Sequence, residues 1–187
     1  MKIAAIVLAG LCTFSGAVRR NEDSPDGRLL AADTVARARA ALAEGANIDV
    51  QDEVNGQTPI MRATLHGWTS LVKFLLEKGA DCTIGEKDGY TPAHGAGFQG
   101  RVNIMELLKD RGIDIHSPAP KDGFTPFHRA CWGREQRHTD TIKFLLTEGE
   151  VDMNVKGGQD KRTCLQMTPN ENTRALLLKY GAGNSEL

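Results

Sequence analysis

Apolar positions along this chain fall into short helical runs that polar turns separate. Leu71, Val72, Phe74, Leu75 and Leu76 share one helical face, and so do Ile104, Met105, Leu107 and Leu108. Ile142, Phe144, Leu145 and Leu146 repeat the pattern. These side chains are the expected core, each worth ~1.5–3 kcal/mol when buried against the next run. The punctuation between runs is also regular. Asn55-Gly56, Asp88-Gly89 and Asp122-Gly123 are turn dipeptides that tolerate positive φ. Thr58-Pro59, Thr91-Pro92 and Thr125-Pro126 follow them, at spacings of 33 and 34 residues. Threonine suits a helix N-cap, and proline suits the first helical position, where no amide donor is needed. A short helix rich in small residues (Ala63, Ala96) then ends at Gly67 or Gly100, and the apolar helix ends at Gly79 or Gly112. Each unit reads turn, helix, turn, helix, which predicts an all-α solenoid of stacked helix pairs.

The N-terminus departs from this pattern. Met1-Lys2 precedes an apolar run from Ile3 to Leu11 and a small-residue exit at Ser15-Gly16-Ala17. One positive charge, a short apolar stretch and a small-x-small exit predict a secretory signal over 1–17. The run is short for a spanning helix, which needs ~20 residues. Arg19-Arg20 keeps an uncleaved anchor as the alternative. Residues 18–27 are polar and read as a linker, and 184–187 as a tail.

Composition narrows the function classes. The 187 residues carry 23 basic and 24 acidic side chains, a formal charge of -1. Nucleic acid and anionic membranes need a basic field, so no nucleic-acid partner is expected, and no membrane unless the N-terminal segment is retained as an anchor. Of the four cysteines, Cys12 lies in the leader, leaving Cys82, Cys131 and Cys164. That odd, widely spaced set predicts no disulfide framework, and without a CxxC it offers no structural zinc site. No nucleophile elbow, His-Glu-x-x-His or phosphate loop occurs, so neither an enzyme nor a cofactor or metal site is expected. There is no Asn-x-Ser/Thr sequon.

With Thr58-Pro59-Ile60-Met61, Thr91-Pro92-Ala93-His94 and Thr125-Pro126-Phe127-His128 in phase with Leu75-Leu76 through Gly79-Ala80-Asp81 and its counterparts, the chain resembles the ankyrin repeat family. The resemblance runs over 28–183, with units near 28–54, 55–87, 88–121, 122–160 and 161–183. The first unit is read as the second half of a repeat. The last is degenerate, with a capping box expected at Thr168-Pro169-Asn170-Glu171. Met61 stands where the family has histidine, Ala93 where it has leucine, and Gly95 and Gly97 are expected to loosen their helix. Extra residues within 133–140 predict a charged loop and an uneven stack. The resemblance implies that His94 and His128 tie neighbouring units together rather than bind metal.

It also implies which side chains face the concave side. The position before each threonine holds Gln57, Tyr90 and Phe124, and the position seven after it holds Leu65, Phe98 and Trp132. His66 and Gln99 lie beside them, and Arg129 on the third short helix. Four of the nine aromatic residues outside the leader fall on these places. They predict two exposed ladders that bind another protein, with charged hairpin tips as a rim. The bland reading folds the rings against their own hairpins. The expected function is a protein-binding module acting as a monomer or as a subunit of a hetero-complex, secreted or in a lumen or periplasm. The rival is a structural subunit permanently built into a larger assembly.

Overall fold

The computed structural model describes residues 23–183. The leader expected over 1–17, the first part of the linker and the tail lie outside the described residues. Among the described residues ten helices pair into five units: α1 (Pro25–Leu30) with α2 (Val35–Ala43), α3 (Pro59–His66) with α4 (Thr69–Glu77), α5 (Pro92–Gln99) with α6 (Val102–Asp110), α7 (Pro126–Cys131) with α8 (Gln136–Thr147), and α9 (Cys164–Met167) with α10 (Glu171–Lys179). First helices pack on first helices, α1 on α3, α5, α7 and α9 in turn, and second helices form a parallel row from α2 to α10. The core is the seam between the two rows. Ile60, Leu75, Ile104, Leu108, Phe127, Ile142 and Leu145 are fully buried there.

Local chemistry sets the unit. Gly56, Gly89 and Gly123 take φ of 71, 80 and 73°, which closes the expected turns. The hairpins also bond to each other, with the Lys87 amide donating to the Asn55 carbonyl at 2.9 Å. The patterned histidines act between units as expected. The Thr125 amide donates to His128 Nδ1 at 3.3 Å, and the His128 amide donates to Thr125 Oγ1 at 3.4 Å. That capping box leaves His128 Nε2 to donate to the Val155 carbonyl at 3.1 Å. His94 repeats the arrangement with Thr91 and the Phe124 carbonyl, at 3.3 and 3.2 Å.

Five expectations are corrected. The linker ends before Pro25: Ser24 caps α1 by accepting from the Gly27 amide at 3.0 Å, and Pro25 takes the first helical position. The first unit is therefore a helix pair, not a half-unit. The insert at 133–140 is not a charged loop. From Gln136 it forms the start of α8, the longest helix at 12 residues, while α7 is cut to 6. His138 and Thr139 pull this extension inward, His138 Nε2 donating to the Phe98 carbonyl at 3.1 Å and Thr139 bonding Thr173 at 2.8 Å. The last cap sits two residues beyond Thr168. Asn170 accepts from the Asn172 and Thr173 amides at 3.0 and 3.2 Å, and Thr163 forms the capping box of α9. Gly95 and Gly97 are close-approach positions. A Cβ on Gly97 would lie 2.2 Å from the Pro126 carbonyl oxygen, so α5 and α7 meet as only glycine permits. Finally, Cys131 and Cys164 form a disulfide joining α7 to α9, with Cα atoms 5.5 Å apart. Repeat stacking brings together two cysteines 33 residues apart in sequence, a proximity that their spacing alone does not reveal.

Candidate functional site

The hairpins and first helices form one face of the stack, and eight of the nine residues expected to bind a partner fall there into a cage and a groove that share Tyr90 and Arg129, with His66 outside both. Around unit four the ladder is closed. Arg129 projects from α7 and is 9 % exposed. Its guanidinium lies 4.1 Å from the Tyr90 ring centre, 4.7 Å from Trp132 and 5.7 Å from Phe124. Asp122, at the hairpin tip, binds both Arg129 and the Tyr90 hydroxyl, the latter at 3.0 Å. Phe124 and Trp132 meet edge to face at 4.9 Å. Burial pushes the Tyr90 phenol up from its ordinary pKa, and the Asp122 hydrogen bond adds to it. Tyr90, Phe124 and Trp132 are thus half-buried around an internal cation, not an open rail. Shortened α7 contributes, since Trp132 caps the helix, whereas Leu65 and Phe98 lie within theirs.

Between units two and three the face stays open. A groove of about 360 Å³ is floored by Met61, Leu65, Gly95 and Phe98 and walled by Gln57, Glu86, Tyr90, Gln99 and Arg129. Phe98 is 51 % exposed, among the largest apolar exposures of the described residues. The small residue at 95 keeps the floor low: a Cβ there would lie 3.2 Å from Met61 Sδ and 3.3 Å from Leu65 Cδ2. His66 is outside the groove. It is exposed, stacks on Trp68 at 4.5 Å and has Nδ1 2.8 Å from the Arg62 carbonyl.

Sequence reasoning missed Glu86 and Met61 as groove residues. Glu86 opens its hairpin, taking the Gly89 amide on its carbonyl and giving its own amide to Tyr90. It reaches the groove only because the preceding hairpin supplies Gln57, whose Nε2 donates to Glu86 Oε2 at 2.9 Å. Met61 carried a signal, as the departure from the family histidine. It is buried as part of the floor. Arg129 was expected on the concave face, where its sequence position gave no hint that three rings from two units converge on it.

Among the described residues no cluster of three or more His, Cys, Asp or Glu is placed to hold a metal ion, and no helix is long and apolar enough to cross a membrane. Two family models match the chain: one for ankyrin repeats in three copies over residues 31–119, and one for ankyrin repeats in many copies over 96–146. Together they reach from 31 to 146, more than half of the 187 residues. Ankyrin repeat and SAM domain-containing protein 6 of Mus musculus is 40% identical over 83 residues, 39% of this chain and 9% of its own length. The 2-5A-dependent ribonuclease of Mus musculus is 41% identical over 75 residues, 40% of this chain and 10% of its own. Inactive serine/threonine-protein kinase TEX14 of Bos taurus is 33% identical over 109 residues, 58% of this chain and 7% of its own. The chain therefore spans 10% or less of the length of these relatives. Repeats of this kind generally mediate protein–protein interaction, and their fold is typically non-enzymatic. By its repeat period, its paired-helix stack and these matches, the chain belongs to the ankyrin repeat family.

Proposed function

We propose that this protein binds a partner protein through its concave face, in the groove between units two and three, and that it does so in an oxidising compartment of the secretory route. The observation that carries the binding site is Phe98. A large apolar ring is half exposed over an apolar floor, on a rigid helix, with hydrogen-bonding side chains around it. Anchors of that kind dominate protein interfaces. The Arg129 cage stiffens the neighbouring wall, which lowers the ordering cost of binding. No catalytic step is assigned to the chain. The compartment is supported by the Cys131–Cys164 disulfide, since such bonds persist where the environment is oxidising.

Affinity capture from the native source, comparing wild type with Phe98→Asp, tests the site. Both are expected to have the same circular dichroism spectrum, and a specific set of proteins is expected to be lost with the variant. Recovery of the same set with both refutes the site. Thiol titration of the denatured, unreduced native protein tests the compartment. One free thiol, Cys82, is expected after leader removal, and three or more refute it.

A further inference from the structure

Glu86 stands on a wall shared by two hollows. On one side is the Phe98 groove; on the other is a second hollow of about 390 Å³, lined by Val54, Asn55, Gln57, Glu86, Lys87 and Asp88. Val54 there is 75 % exposed. The shared wall is therefore a carboxylate with an exposed apolar side chain to either side.

The cations around it are already engaged, Lys87 by backbone carbonyls and the others by acids. Lys87 Nζ donates to the Glu53 and Val54 carbonyls at 2.6 and 2.8 Å. Lys121 pairs with Asp88 at 2.7 Å, Arg62 faces Asp52 at 4.0 Å, and Arg129 is held by Asp122. Among the described residues, the Glu86 carboxylate accepts only from the neutral amide of Gln57. Among the described residues, no Lys, Arg or His lies within ion-pair distance of it. The wall between the two hollows thus presents one carboxylate outside ion-pair distance of every described cation, with Phe98 in one hollow and Val54 in the other.

We propose that the partner segment seated here carries a lysine or arginine between apolar residues, the cation pairing with Glu86 and the apolar side chains settling on Phe98 and Val54. This rests on the concave-face reading above. An ammonium or guanidinium on Glu86 forms a charge-assisted hydrogen bond, stronger than a neutral one. The apolar contacts exclude water from the pair and supply most of the affinity. The charge selects the sequence and speeds encounter. An acidic segment would meet the like charge of Glu86 and be disfavoured.

A random dodecapeptide library displayed on phage, panned against the full chain, tests this. Enriched peptides are expected to carry Lys or Arg beside apolar residues. As synthetic peptides in calorimetry, they should bind about tenfold more weakly to Glu86→Gln, which keeps the size of the side chain and can still accept from Gln57. Binding should also weaken as salt rises from about 0.05 to 0.5 M. Peptides lost with Phe98→Asp but lacking basic residues, or indifferent to Glu86→Gln, overturn the cation pairing and leave the concave site standing. Peptides indifferent to both variants, or no enrichment at all, overturn both.

Discussion

Arg129 shows how a side chain on a presented face becomes structural. A buried arginine is costly unless its charge is paired, and Asp122 and three rings from units three and four surround this one. Replacing it with methionine removes the cation and leaves the Asp122 carboxylate without its ion-pair partner. Arg129→Met is expected to lower stability by about 2–4 kcal/mol in chemical denaturation. A neutral result would mean that the cage contributes nothing. Lysine is not an adequate substitute, because the planar guanidinium stacks against rings and an ammonium does not. Single-residue roles were legible where a repeat fixed them. His94 and His128 took their expected places because each bonds its own capping threonine, a contact three residues away in sequence. Glu86 and the disulfide were not legible, because each acquires its partner from another unit, and the Arg129 cage was not, because Tyr90 reaches it from the preceding unit. Periodicity predicts that such residues lie near one another, but not which side chain bends toward which.

Elements followed the same division. Helices opened by Thr-Pro and closed by glycine appeared where expected. The miss at α1 was avoidable: Ser24-Pro25 lies 34 residues before Thr58-Pro59 and is the same signal with serine as the cap. The extension of α8 was not avoidable, since its polar residues become helical by packing on α10 and on the Phe98 carbonyl. Two element-scale outcomes follow. Alanine at Gly97 gains about 1 kcal/mol of helix propensity, but its Cβ meets backbone at 2.2 Å, and backbone cannot rotate away. Gly97→Ala should therefore destabilise by about 2 kcal/mol or more in a denaturant melt, and any gain in stability would show that α5 and α7 are not in close contact. The disulfide joins residues 33 apart. Replacing both Cys131 and Cys164 with alanine should cost about 3–4 kcal/mol through the freed unfolded chain. Reductant should weaken the wild type but not the double variant, and equal sensitivity of the two proteins would argue against the bond.

At the scale of the molecule, the stack depends on neutral histidines. Burial holds His94 and His128 below the ordinary imidazole pKa, and Arg129 adds to this at His94. With folded values lowered, their stabilisation is complete above the unfolded pKa of about 6.5 and is lost as pH falls through the folded values. Thermal midpoints should be flat above pH ~7 and decline below pH ~6, and His94→Gln with His128→Gln should flatten that decline. A decline unchanged by the double variant would place the acid sensitivity elsewhere. The fold class was readable from the period alone, whereas the open part of the functional face was not. The rungs of both ladders were equivalent in sequence, and only packing closed Tyr90, Phe124 and Trp132 around Arg129 and left Phe98 open. The most direct measurement is calorimetric titration of a captured partner against wild type, Phe98→Ala on the groove floor and Lys109→Ala on α6. A loss of about tenfold or more in affinity for Phe98→Ala, with Lys109→Ala unchanged, is the predicted result. Unchanged affinity for Phe98→Ala, or a loss confined to Lys109→Ala, would contradict it.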